Sequence, residues 1–167
     1  MFSSIVYYST TGSCKKYAEL LSAKLHIPAR PLGKEYVPED TKIIYVGWLM
    51  AGKVMGYAKA AAKYDVGAVV QVGMGPENSK SEKICREKNP VRADAAVFTR
   101  QGRFNINKLP LPYKLIMKLK NKEIAARLEK LGSLDEGQKA TLKMAKTGVG
   151  EPASWCVDDI VKWFENN

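Results

Sequence analysis

The sequence predicts an α/β fold built on a doubly wound, five-stranded parallel sheet with helices on both faces. Short apolar, β-branched runs alternate with helical patterns through the first hundred residues, as in successive βαβ units. The connections between these runs are short, which suits crossovers on one sheet. The chain has 167 residues, of which 46% are hydrophobic, so we expect residues 1–167 to form a single domain.

Five segments account for the predicted sheet. Residues 4–8, 42–47, 68–72 and 95–99 are nearly continuous apolar runs, which indicates strands that are buried on both faces. Residues 29–32 form a weaker candidate. Because proline interrupts that segment, it is restricted to an edge of the sheet.

Helical periodicity fills most of the intervals between these strands. Residues 13–25, 52–64, 79–88 and 154–165 are predicted helices, which gives the order β-α-β-β-α-β-α-β before the last part of the chain. Ligands of such sheets bind beyond the carboxyl ends of the strands. We therefore expect the site in three loops: residues 9–14, 47–53 and 73–79.

A basic helical insertion, at about residues 100–148, follows the last predicted strand. Two helices are expected there, at 113–131 after two prolines and at 134–146, where Ser133 and Glu136 have the spacing of a capping box. This segment holds twelve Lys or Arg against four Asp or Glu, so +8 of the chain's net charge of +10 belongs to it. The asymmetry favours an anionic partner, which would be nucleic acid, a lipid surface or an acidic protein.

Other features of the composition argue against whole classes of protein. The chain has no run of about 18 uncharged apolar residues, and no basic region precedes the apolar residues of its N-terminus. The three cysteines form no CxxC pair, and His26 is the only histidine. We expect no membrane span, secretory signal, disulfide framework or metal site. The predicted location is the cytoplasm, with peripheral attachment at the inner membrane face left open.

The strongest chemical signal is the loop after the first strand. It contains Ser9, Thr10, Thr11, Gly12, Ser13 and Cys14. Hydroxyl groups and free backbone N–H groups at a helix N-terminus bind phosphate, and a glycine permits the tight turn. Ordinary N-capping by a single Ser or Thr is the competing interpretation. The three hydroxyls of Ser9, Thr11 and Ser13 together with Gly12 favour the phosphate site.

This loop resembles the first loop of the flavodoxins, which reads Ser/Thr-x-Thr-Gly-x-Thr/Ser after a strand that ends in aromatic residues. Ser9, Thr11 and Gly12 match that pattern, whereas Cys14 stands where the family has a hydroxyl. The resemblance implies a flavodoxin-like sheet and FMN as the cofactor, with residues 9–14 around its 5′-phosphate. Because a thiol is a weak hydrogen-bond donor, the backbone N–H of Cys14 would remain as its contact.

The second loop is similar to the flavodoxin loop that follows the third strand. The candidate residues are Trp48, Leu49, Met50, Ala51 and Gly52. The resemblance implies that Trp48 and Met50 lie against the flavin ring, whose apolar faces suit aromatic and thioether side chains. It also implies a peptide at Ala51-Gly52 that turns toward the ring. A place in the hydrophobic core is the alternative for both large side chains.

The third loop contains Gly73, Met74 and Gly75. By the same resemblance it corresponds to the loop at the edge of the flavin, where main-chain groups pair with the pyrimidine ring. Two glycines suit that close approach, and they suit an ordinary turn equally well.

The basic insertion distinguishes this chain from ordinary flavodoxins, which are acidic. Together with the first loop, the size of the chain and Gly102-Arg103-Phe104, it resembles the menaquinone-dependent protoporphyrinogen oxidases and related flavodoxin-domain proteins. That resemblance implies an FMN-dependent oxidoreductase or electron-transfer protein that passes electrons to a quinone or a redox partner protein. Peripheral membrane contact through residues 100–131 is a separate expectation, which depends on the charge of the segment.

A cofactor-free binding module of the same fold is the alternative function. The basic insertion would then hold nucleic acid or an acidic protein. No base-stacking motif supports nucleic acid, so the sequence disfavours that partner. No catalytic acid or base is identifiable from the spacing of the titratable residues.

Overall fold

A five-stranded parallel sheet forms the centre of the computed structural model, which describes residues 1–167. The strands are β1 (Ser4–Tyr8), β2 (Ala29–Pro31), β3 (Lys42–Met50), β4 (Lys53–Val54), β5 (Asp65–Gly73), β6 (Ala96–Gln101), β7 (Phe104–Asn105) and β8 (Val149–Gly150). The helices are α1 (Ser13–Leu25), α2 (Tyr57–Ala61), α3 (Ser81–Lys88), α4 (Leu111–Glu129), α5 (Glu136–Thr147) and α6 (Asp158–Glu165). The main sheet has the order β2-β1-β3-β5-β6, with all four pairings parallel.

The central strands are buried on both faces, as their continuous apolar sequences predict. Ile5 and Ile44 point into a core beneath α1 and α6, whereas their neighbours Val6 and Ile43 point into a second core beneath α2 and α3. Adjacent residues of a strand face opposite sides of the sheet, so both faces need apolar side chains. The predicted α/β class and parallel sheet are confirmed, and β2 lies at the edge.

The third strand is longer than the sequence predicted. The strand continues through Met50 and turns back at Ala51 and Gly52 to pair with β4 in an antiparallel hairpin. Both turn residues have positive φ, 51° and 82°, as a type I′ turn requires. The Val54 N–H then donates to the Asn89 side chain at 2.8 Å. The helix predicted at 52–64 is therefore reduced to α2, because the hairpin uses its first residues.

A two-helix segment, residues 104–150, follows the sheet. It contains a short 3-10 turn at Ile106–Lys108, then α4 and α5, and its first and last residues pair in the antiparallel β7–β8 ribbon. The capping box of α5 is formed by Asp135 and Gln138 instead of the predicted Ser133 and Glu136. Both predicted helices are present, with boundaries shifted by one or two residues.

The last helix, α6, begins four residues later than predicted. Residues 154–157 precede it without helical structure. The carbonyl of Ser154 accepts from the Tyr17 hydroxyl at 3.2 Å, and the carbonyl of Cys156 accepts from Arg100 Nε at 3.0 Å. These side chains hold the backbone against the sheet before the helix starts. None of the helices has the length and apolar composition needed to cross a bilayer.

Candidate functional site

The three predicted loops meet at the carboxyl edge of the sheet. The chain leaves β1 for the edge strand β2 on one side, and the sheet continues from β1 through β3, β5 and β6 on the other. The crossovers from neighbouring strands β1 and β3 therefore diverge, which opens a crevice at this switch point. The loop after β1, the β3–β4 turn and the loop after β5 surround that crevice.

The first loop ends at an uncapped helix. Gly12 is the N-cap of α1 with φ 95°, and no side chain caps the helix. The Gly12 N–H donates to Ser9 Oγ at 3.1 Å, which closes the turn. The first N–H groups of a helix have no partner within it, so the N-terminus of α1 presents backbone donors and a positive dipole end. This arrangement has the donors that an anion requires.

The loop hydroxyls lie against the start of the two-helix segment. Ser13 Oγ donates to the Arg103 carbonyl at 3.2 Å, and Thr11 Oγ1 approaches the same carbonyl at 3.5 Å. This approach requires Gly102, because a Cβ there would lie 2.6 Å from Val72 Cγ1 and 3.0 Å from Ser13 Oγ. The exit of β6 is thus packed directly over the first loop.

The Cys14 side chain takes no part in the loop. It is buried in the core beneath the sheet, and burial raises the pKa of its thiol far above the usual range. Because the thiol points away from the turn, only the backbone N–H of Cys14 could contact a ligand at the loop.

The burial of the thiols predicts their reactivity. Cys14 and Cys85 are buried, whereas Cys156 is exposed, and burial raises the pKa of Cys85 to about 11. Since the thiolate is the reactive form, we expect one thiol per native chain to react quickly with a chromogenic disulfide reagent. The other two should react only after unfolding. A Cys156→Ser variant should lose the fast reaction, and native reaction of all three thiols at one rate would contradict this assignment.

The second loop separates into two groups of residues. Trp48 and Met50 belong to β3 and line a small hollow, while Met50, Ala51 and Gly52 line a larger one beside it. The Trp48 ring meets the Tyr113 ring of α4 edge to face, with centroids 5.7 Å apart. Its indole Nε1 is buried without a hydrogen-bond partner. An unpaired buried donor costs about 1–3 kcal/mol, so this N–H marks a position where a ligand acceptor would be stabilised.

The third loop is fixed through its backbone. The Gly73 carbonyl accepts from the Gly102 N–H at 2.7 Å. The Met74 carbonyl accepts from Gln101 Nε2 at 2.8 Å and from Thr141 Oγ1 at 3.2 Å. The sheet and the two-helix segment therefore hold the loop after β5 between them.

The two hollows share walls beneath α4. The smaller, of about 70 Å³, has Thr10, Thr11, Ser13, Trp48, Gly102 and Leu109 among its lining residues. The larger, of about 350 Å³, is lined by residues that include Ala51, Gly52, Gly75, Ile116, Lys120 and Arg127. Leu49, Met50, Gly73, Met74 and Met117 line both. Ligand sites usually occupy about 300–1,000 Å³, a range that the larger hollow reaches and the smaller does not.

No family model matches this chain, and no curated protein matches it either. No group of three His, Cys, Asp or Glu side chains lies close enough together to hold a metal ion. The comparisons therefore name no ligand, and the only indication of one is the arrangement of the loops.

Residues of the two-helix segment complete the site, and the sequence did not predict them as site residues. Leu109 lines the smaller hollow and Met117 lines both, while Gln101, at the end of β6 and outside this segment, donates to the Met74 carbonyl. In the sequence, Met117 has helical spacing with Ile124 and Leu128, but this spacing does not identify the surface that the apolar residues cover. Gly102, a glycine directly after a strand, was the available signal of a close backbone approach.

Proposed function

We propose that this chain binds FMN and acts as a flavodoxin-like oxidoreductase or electron-transfer protein. One observation carries the proposal: the uncapped N-terminus of α1, with its hydroxyl loop, lies at the β1/β3 switch point beside an apolar crevice. The five parallel strands have the order 2-1-3-4-5 when counted among themselves, which is the order of flavodoxin-like sheets. Residues 100–148 are then an insertion into that fold.

The residues at the phosphate end fit FMN. The backbone N–H groups of Ser13 and Cys14 begin α1 without a side-chain cap, and Thr10 and Thr11 line the crevice beside them. A phosphate dianion would take these donors and the positive end of the helix dipole. The Ser13 and Thr11 hydroxyls would exchange the Arg103 carbonyl for phosphate oxygens.

The residues at the ring end also fit. Trp48 and Met50 provide an aromatic and a thioether surface on one face of β3, and the unpaired Trp48 N–H suits an acceptor atom on the ring. The backbone of residues 73–75 would lie at the pyrimidine edge. When bound, FMN supplies the electron transfer, while the protein residues bind and orient the ring.

The two-helix segment would control access to the ring. Met117 and Leu109 would exclude water from the ring, and the cation Arg127 lines the larger hollow beside Lys120, whose ammonium group pairs with Glu123. Cations near a ring favour its negatively charged form, so this chain should hold a reduced flavin more readily than an acidic protein of the same fold. We propose a quinone or a redox partner protein as the electron acceptor.

An absorption spectrum tests the proposal directly. The purified protein is mixed with FMN, separated from the excess by gel filtration, and scanned in the visible range beside the untreated protein. We expect flavin bands that correspond to nearly one FMN per chain. A colourless protein that cannot be reconstituted would overturn the proposal.

The second candidate is a cofactor-free binding module for an acidic partner. The observation that favours it is the bond from Ser13 Oγ to the Arg103 carbonyl, which already satisfies a loop hydroxyl within the protein. In that case the basic segment, with a net charge of +8 from twelve cations and four anions, would be the functional surface. Salt-dependent retention of an acidic protein or of duplex DNA by the colourless chain would support this candidate.

A further inference from the structure

Helix α4 is apolar on two opposite faces. Its inner face contacts the rest of the protein and carries Tyr113, Met117, Ile124 and Leu128. Its outer face carries Leu111, Leu115 and Leu119, which are 70%, 57% and 72% exposed. Residues spaced by four lie above one another on a helix, so these three leucines form a continuous ridge, here called the leucine ridge. Packing within this chain does not explain it.

The leucine ridge is bordered by cations. Lys114, Lys118 and Lys122 lie beside it at helical spacing. None of these three ammonium groups takes part in an ion pair, because the acidic residues Glu123 and Glu129 of α4 pair with Lys120 and Lys146 instead. The outer face therefore combines exposed apolar side chains with uncompensated positive charge.

This combination selects among the surfaces that could cover the ridge. A second copy of the chain would bring another lysine-bordered ridge against the first, and the positive charges would repel. Nucleic acid would pair with the lysines and leave the leucines in water. An anionic lipid surface accommodates both the leucines and the lysines. The leucines enter the boundary of the acyl chains, and the lysines stay among the headgroups.

We infer that α4 docks this protein on anionic membranes, with the leucine ridge inserted at the interface and the neighbouring lysines on the headgroups. The inference goes beyond the proposed function and needs no cofactor. It also defines an orientation, because α4 would lie in the membrane plane with its inner face toward the sheet. Ile116, on the side of α4 at the rim of the larger hollow, would then lie near the lipid.

Vesicle sedimentation tests the charge component. The full chain is mixed with vesicles of phosphatidylcholine alone and with vesicles that contain phosphatidylcholine and phosphatidylglycerol in equal parts. We expect sedimentation with the anionic vesicles only. In a Lys118→Gln/Lys122→Gln variant the partition coefficient should fall about 30-fold, from about 1 kcal/mol for each lysine. The matched control is Lys59→Gln/Lys63→Gln, which removes the same charge from α2 and the residues just after it, so its partition coefficient should fall far less.

A Leu115→Ser/Leu119→Ser variant tests the apolar component. Both side chains are exposed, so the urea midpoint should equal that of the unaltered chain, while membrane partition should fall by about 100-fold or more. A Tyr36→Ser variant, at another exposed apolar residue, is the control. Equal sedimentation of the leucine variant would assign the binding to charge alone and overturn the inference. Equal loss from both lysine pairs, or no binding to anionic vesicles, would overturn it as well.

Discussion

A Thr11→Ala/Gly12→Ala variant should lose FMN during gel filtration, with an affinity reduced about 100-fold or more. Gly12 has φ 95°, where an alanine is strained by about 1–2 kcal/mol although no atom lies within 4 Å of the added Cβ. The turn would relax and move the first N–H groups of α1 away from the phosphate. Each hydrogen bond to a charged group contributes about 1.5–3 kcal/mol, so the loss of two accounts for the expected change.

Gly33 provides a matched control for this variant. It also has a positive φ, 72°, with no atom within 4 Å of an added Cβ, but it lies after the edge strand β2 and lines neither hollow. Gly33→Ala should lower stability by a comparable amount and leave FMN retention unchanged. Retention of FMN by the double variant at the original stoichiometry would remove residues 9–14 as the phosphate site.

A Gln101→Ala variant should lower the free energy of unfolding by about 3–4 kcal/mol. Gln101 is buried at the end of β6. Its Nε2 donates to the Met74 carbonyl at 2.8 Å and to Thr141 Oγ1 at 2.9 Å, and its Oε1 accepts from the Ala153 N–H at 3.1 Å. Truncation leaves buried polar groups unpaired, at about 1–3 kcal/mol each, and creates a cavity.

Urea unfolding followed by circular dichroism measures this loss. Gln138→Ala is the control, because Gln138 acts only in the capping box of α5 and its removal should cost about 1 kcal/mol. Gln101 joins the loop after β5, helix α5 and the segment before α6, so its replacement should affect all three. Equal urea midpoints for the two variants would contradict the role assigned to Gln101.

The predicted strands were the most reliable part of the sequence analysis, because burial on both faces produces continuous apolar runs such as residues 4–8 and 68–72. The β3–β4 hairpin was not predictable from local pattern. It places Ala51 at φ 51°, which alanine disfavours, and it depends on Asn89, far along the chain, to satisfy the Val54 N–H. Non-local hydrogen bonds of this kind leave no periodic signal.

The candidate site was also predictable only in part. The loop glycines and hydroxyls were visible in the sequence, and the structure brings the three loops together at one edge of the sheet. The inward position of Cys14 was also predictable, since Cys14, Ala18 and Leu21 follow the helical period of a buried face. The cover of the loops was not predictable, because α4 carries apolar residues on two faces. Its sequence does not show which of these faces packs against the loops.

The β7–β8 ribbon has a consequence for the history of this architecture. Phe104 pairs with Gly150 and Asn105 with Val149, so residues 104–150 leave and rejoin the body of the protein at neighbouring points. They also have a small core of their own, around Phe104, Ile106 and Met144. Such a cassette can be lengthened, exchanged or lost without changing the pairing of any parallel strand. A lineage could thereby change the segment that covers the crevice, and with it the surface that this segment contacts. The three loops beneath the segment would be kept.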